Sequence, residues 1–203
     1  VSAASKQQPG ATVTLVSEAA AIAPGEPFTV ALHIQHEPGY HTYWRNPGVI
    51  GLPTSIDWHL PDGFTASPIR WQQPQLTKMA AYNVWGYEAD TLLLIDITPS
   101  KALSPGESIT LRGKTSWMAC AKSCCPSTGE VSLTLPVAAE PRSDPAWRDR
   151  FDKVRTGLPR DVPQWTATAA RSGKGYTLTL TPTDPDAVNP APRDVYFFAH
   201  KRT

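Results

Sequence analysis

Twenty-one prolines interrupt this chain of 203 residues, about twice the ordinary share, and they fall along its whole length. Each proline lacks a backbone N–H and is disfavoured in a helix interior or a central sheet position, so short strands joined by many turns are the expected result. Runs of alternating or β-rich character lie at Thr12 to Ser17, Phe28 to Gln35, Ser55 to Leu60, Thr91 to Thr98, Ser108 to Leu111 and Glu130 to Leu135, each bounded by Gly, Pro or Asp. Ala23-Pro24-Gly25-Glu26-Pro27 and Ser104-Pro105-Gly106-Glu107 are turn chemistry, with Pro presetting φ and Gly accepting positive φ. The chain is 40 % hydrophobic and 18 % charged, enough apolar material for a buried core.

Strands at this spacing without a helical period between them predict a mostly β chain, an antiparallel sandwich of immunoglobulin-like form. Past Pro136 the pattern changes. Asp144-Pro145 reads as an N-cap followed by proline at the first helical position, and Trp147, Phe151, Val154 and Leu158 recur at helical spacing before Pro159. Gln164 to Ala170, Tyr176 to Thr181 and Asp194 to Phe198 read as strands again. The expected organisation is a β domain over 11–138, a helical linker over 139–162, and the start of a second β unit over 163–203.

Nineteen Lys and Arg against 18 Asp and Glu give a net charge of +1, with no basic field for a phosphate backbone. Nucleic acid is therefore not an expected partner, and no Gly-rich phosphate loop is present. Apolar runs such as Leu92 to Ile95 are far shorter than the roughly 20 residues that cross a bilayer. The start at Val1 and the end inside the run Val195-Tyr196-Phe197-Phe198 read as the limits of a fragment of a longer protein.

The chemistry concentrates in Trp117-Met118-Ala119-Cys120-Ala121-Lys122-Ser123-Cys124-Cys125-Pro126, which holds all three cysteines. A structural bridge from Cys120 to Cys124 or Cys125 would close a loop so short that it removes only about 2 kcal/mol of unfolded-state entropy, against about 4 to 5 for a loop near 100 residues. A redox-active pair is the second reading, since a short loop at a strand end meets the need for two close, accessible sulfurs, and a Lys122 ammonium leaning toward them would favour a thiolate. A soft-metal site for Cu(I), with Met118, Cys120, Cys124 and Cys125 as sulfur donors, is the third. Proline at 126 pushes Cys125 toward an extended backbone, directing its side chain away from that of Cys124 and leaving it a buried free thiol.

The spacing tryptophan, two residues, cysteine, three residues, cysteine, one residue, proline resembles the N-terminal domain of the DsbD family of thiol:disulfide interchange proteins, especially its ScsB-like members. Gly39-Tyr40-His41-Thr42-Tyr43-Trp44-Arg45-Asn46-Pro47-Gly48, Gly51-Leu52-Pro53-Thr54, Trp58 and Trp85-Gly86-Tyr87-Glu88 are similar to further motifs of that family, over roughly residues 25–137. The resemblance implies an immunoglobulin-like domain in the bacterial periplasm, part of an inner-membrane protein with a membrane-embedded domain and a thioredoxin-like domain. It implies a protein-disulfide reductase that takes electrons from the thioredoxin-like partner and passes them to disulfide-containing client proteins, with no cofactor beyond its own disulfide. It assigns the pair to Cys120 and Cys124, with Cys124 attacking clients and Cys120 resolving. Cys125 departs from the family's usual aliphatic residue, as an additional thiol or, in the copper-tolerance alternative, a Cu(I) ligand. A protective cap is expected from Tyr82, Trp85 and Tyr87 with Met79 before them, over a floor of Tyr43 and Trp44; Trp58, Trp71 and Trp117 are expected in the sandwich core. His41 is expected at the surface, and Glu88 and Asp90 as turn residues.

Overall fold

The computed structural model describes residues 2–184, 197 and 198. In chain order the elements are β1 (Ser2–Gln8), β2 (Ala11–Ser17), β3 (Ala19–Ala21), β4 (Phe28–His36), β5 (Thr42–Gly48), β6 (Ser55–His59), β7 (Thr65–Ala66), β8 (Gln75–Met79), β9 (Tyr82–Tyr87), β10 (Thr91–Thr98), β11 (Ser108–Cys120), β12 (Cys124–Pro136), β13 (Arg142–Ser143), α1 (Arg148–Thr156), β14 (Trp165–Ser172) and β15 (Gly175–Pro182). The mostly β, antiparallel sandwich expected from the alternating runs is the fold observed.

The main strands follow the order β6-β11-β12-β1-β2-β4-β10-β7. Strand β1 makes the join between the two layers: its first residues, Ser2 to Ala4, pair with β12, and Ser5 to Gln8 pair with β2. A strand that changes sheets in this way forms a corner of the sandwich. Alternation then sets the core. Val13, Leu15, Leu32, Ile34, Leu93 and Ile95 from one layer and Leu111, Val131, Leu133 and Leu135 from the other are almost fully buried.

The layer β2-β4-β10 is buried on both faces, which is why Leu92 to Ile95 reads as an unbroken apolar run instead of an alternating one. Its outer face, Val16, Ala31, Leu92 and Leu94, is covered by Phe151 and Leu158, with Trp147 and Val154 packed beside them. Burial of each large side chain contributes about 1.5–3 kcal/mol. Polar contacts fix the helix in register: Arg150 donates to Asp90 at 2.8 Å, Asp90 meets His33 Nε2 at 2.6 Å, and Arg155 pairs with Glu18 and donates to Thr29 at 3.1 Å. The helix within the span 139–162 thus packs on the sandwich as its outer layer. It also starts later than Asp144-Pro145 implied. The Asp144 carboxylate accepts from the Ala146 N–H at 3.0 Å and caps a preceding turn, and Trp147 is the helix N-cap.

The chain divides between Leu158 and Pro159 into two compact units. In the second, β14 and β15 form a hairpin in register from Trp165↔Pro182 to Ser172↔Gly175. Of the strand expected over 194–198, residues 194–196 lie outside the described residues.

Candidate functional site

Strands β11 and β12 run as one long hairpin whose last cross-strand pair is Cys120↔Cys124, closed by the three-residue turn Ala121-Lys122-Ser123. A disulfide joins Cys120 and Cys124. On its other side Cys120 pairs with His41, each N–H donating to the other's carbonyl at 2.9 Å. The backbone of Cys120 is therefore held between two neighbours, whereas Cys124 stands at the end of the ladder.

The two sulfurs differ in environment. Cys120 is fully buried in a cluster with Tyr43 and Val84, against which Ile50, Met79 and Met118 pack. Cys124 is exposed. The Tyr43 hydroxyl lies 3.9 Å from Cys124 Sγ, and burial pushes the phenol's pKa above 10.0, so it stays protonated and able to donate. The His41 ring meets Tyr43 edge-on at 5.1 Å between centroids. His41 is itself buried, not on the surface as expected, and desolvation lowers its pKa against the opposing pull of Glu88.

Two glycines permit this packing. A Cβ on Gly51, whose φ is +102°, would come within 2.4 Å of the Tyr43 ring. A Cβ on Gly86 would meet the Thr42 carbonyl oxygen at 2.1 Å, so glycine lets β9 lie against β5 and bring Val84 onto Tyr43.

The expected cap is only partly assembled at the disulfide. Strands β8 and β9 form a hairpin that places Met79 and Val84 against Cys120. Tyr82 is 50 % exposed, Trp85 is half-buried, and Tyr87 is buried with its hydroxyl donating to the Gln72 carbonyl at 2.8 Å. Of the floor pair, Tyr43 touches the site and Trp44, though buried, is not in the cluster around Cys120. Val84, Ile50 and His41's backbone are the contributors that motif reading did not single out; the alternation Tyr82-Asn83-Val84 was the available sign for one of them.

Cys125 is a free, half-buried thiol, more open than expected. Along β12 it faces the side opposite Cys124, and its cross-strand neighbour is Ala119, whereas Met118 stands across from Pro126 on the side of Cys120 and Cys124. The four sulfur donors expected for Cu(I) are thus divided between two faces. Glu88 accepts from the Thr77 hydroxyl and borders a cavity with His36, His41 and Ala121, and Asp90 anchors α1, so both do more than shape a turn. Trp117 is buried as expected, but Trp58 and Trp71 are half-buried and line a separate cavity.

No helix among the described residues is long and apolar enough to cross a membrane. No curated protein sequence matches the chain. Its fold is similar to the crystal structure of the N-terminal periplasmic domain of ScsB from Proteus mirabilis, with a TM-score of 0.64 and 18 % identity over 89 % of this chain and 68 % of that one. The yeast GGA1 GAE domain is more distant, with a TM-score of 0.35 and 12 % identity over 67 % of this chain and 100 % of that one. The family described as thiol:disulfide interchange protein DsbD, N-terminal, matches residues 12–136, which contain the hairpin, the disulfide and Tyr43; the chain belongs to that family.

Proposed function

We propose that the chain is a periplasmic thiol:disulfide exchange domain that accepts electrons from a thioredoxin-like partner and reduces disulfides in client proteins, as one domain of an inner-membrane protein. The single observation that carries this reading is the asymmetry of the pair, with Cys124 exposed and Cys120 buried and clamped.

The chemistry follows from that asymmetry. The donor's thiolate attacks Cys124 Sγ, the sulfur within reach, forming a mixed disulfide and expelling Cys120 as a thiolate, which takes up a proton. The donor's second thiolate then attacks its own sulfur in the mixed disulfide and releases Cys124, so two electrons have passed to the pair. In the outgoing half-cycle the Cys124 thiolate attacks a client disulfide. Cys120 resolves the new mixed disulfide by attacking Cys124 Sγ, restoring the internal bond and leaving the client reduced. Tyr43 donates to whichever charge develops on Cys124. Burial of Cys120 confines attack to one sulfur, and Met79 and Val84 shield it from oxidants.

The reading is tested by loading a thioredoxin-like donor that keeps only its attacking cysteine with thionitrobenzoate as a mixed disulfide, adding reduced single variants in a Cys125→Ser background, and separating the products without reductant. Cys120→Ser is expected to accumulate a mixed disulfide through Cys124, and Cys124→Ser to accumulate none through Cys120. If neither variant forms one, the domain is not an exchange partner.

A further inference from the structure

Beside the disulfide lies an open groove of about 550 Å³, lined by Leu52, Pro53, Ser116, Trp117, Pro126 and Thr128, among others, and none of its lining residues is ionisable. Cys124, Pro126 and Thr128 share one face of β12 and are all exposed. The groove therefore begins about 7 Å along the strand from Cys124, the rise of two residues. Among the described residues up to Leu158, the large apolar side chains left exposed are Val49, Leu52, Leu76 and Tyr82. All four lie on the loop after β5 or on the β8–β9 hairpin, the two elements that send Ile50, Met79 and Val84 against Cys120. Exposed apolar surface gathered in one place marks a contact surface. Charge collects on the other flank: Lys122 stands in the turn, and Glu37, Lys78 and Glu88 line the cavity beside Ala121.

We propose that this groove receives a bulky apolar side chain two residues from the cysteine of the exchange partner's polypeptide, and so selects which segments react at Cys124; the inference rests on the exchange role proposed above. A mixed disulfide holds the partner's Cα about 4.4–6.8 Å from that of Cys124. That is no farther than Pro126 stands along β12, so the partner's chain lies over the mouth of the groove whenever the bond forms. An extended segment directs the side chains two residues on either side of its cysteine the same way as the sulfur, toward the domain. One of them meets the apolar wall of Leu52, Pro53, Trp117 and Pro126, where a charged group would lose hydration and find no counter-charge in the lining. A leucine or phenylalanine there is covered together with Leu52, which is 55 % exposed in the free domain. A small thiol without flanking residues reaches the sulfur and leaves the groove empty, so the selection acts on polypeptides.

The probes are acetylated, amidated pentapeptides with a central cysteine joined to thionitrobenzoate and either Leu or Ser at both ends, two residues from the cysteine. They are mixed with the reduced Cys120→Ser/Cys125→Ser protein. Its Cys124 thiolate attacks the peptide's sulfur, forms the protein–peptide disulfide and expels the thionitrobenzoate anion, which is read by its absorbance. Each rate is divided by the same peptide's rate with glutathione, which removes intrinsic reactivity. The leucine peptide is expected to react about tenfold faster than the serine peptide. Leu52→Ser and Thr128→Asp are expected to bring that ratio to about threefold or less, with the serine peptide's rate unchanged in Leu52→Ser. A ratio near one, or a ratio that neither variant lowers, overturns the groove's role while exchange at Cys124 stands. No release from either peptide overturns the exchange reading and this inference with it. A dimer in sedimentation that Leu52→Ser dissolves assigns the groove to a second copy of the chain and overturns the proposal.

Discussion

Replacing Tyr43 by Phe removes one hydroxyl and keeps the ring that fills the space between Gly51, Val84 and Cys120. That hydroxyl lies 3.9 Å from the Cys124 sulfur in the oxidised state, within reach to donate to it once the bond is reduced. A hydrogen bond to a charged group contributes about 1.5–3 kcal/mol, and the long O···S separation selects the lower figure. At 1.36 kcal/mol per unit, about 1.5 kcal/mol raises the Cys124 pKa by about one unit. The thiolate fraction below that pKa falls about tenfold, but the thiolate that remains is more nucleophilic. With a Brønsted coefficient of about 0.4–0.5, the net loss of attack rate on a client disulfide is about three- to fourfold. The assay is a pH titration of ultraviolet thiolate absorbance in Cys120→Ser/Cys125→Ser, where Cys124 is the one remaining thiol, with and without Tyr43→Phe. The same proteins then attack a small disulfide at fixed pH. An unchanged Cys124 pKa, or a rate that falls without any pKa change, refutes donation from Tyr43.

Acid should weaken the fold. His33, His36 and His41 are all held below the ordinary imidazole value of 6.5, in each case chiefly by burial. The unfolded chain therefore takes up protons first as pH falls below 6.5, so stability is complete above that value and declines through the window beneath it. Urea midpoints measured from about pH 8 down to about pH 5 should be level and then fall; a midpoint that holds or rises below 6.5 contradicts the buried neutral imidazoles. Phe151→Ala should cost about 3–5 kcal/mol by emptying the space between α1 and the outer face of the sheet, while donor reduction of the Cys120–Cys124 bond keeps its rate in the folded protein. A loss below about 1 kcal/mol in urea unfolding would mean that the helix does not cover the sheet.

The same elements show where local pattern was informative. Strand β2, the strand at Phe28–His36 and β10 were legible because branched apolar residues fill them and Gly, Pro or Asp bounds them. The apolar alternation of Ser108 to Leu111 and Glu130 to Leu135 marks only part of β11 and β12, which extend to Cys120 and from Cys124. Their core face continues through Gly113, Thr115, Trp117, Ala119 and Gly129, and apart from Trp117 these residues are too small to mark an apolar period. Strand β5 carries Asn46, Pro47 and Gly48, a turn-like composition, and it becomes a strand because β9 pairs with it.

What the chain's own order of residues determined is local: prolines that punctuate the chain into many strands, alternation that assigns faces, and three sulfurs within six positions. Those follow from backbone sterics and side-chain period, which act over a few residues. The tertiary structure alone decided which sulfur meets solvent, because Cys120 is buried by Tyr43, Val84 and Met79 from other strands. It also set Tyr43 beside Cys124 across 81 positions of chain and gathered Leu52, Pro53, Trp117 and Pro126 around one groove. Contacts of that range arise from sheet pairing and layer packing, which depend on the whole chain at once and leave no period in any one segment.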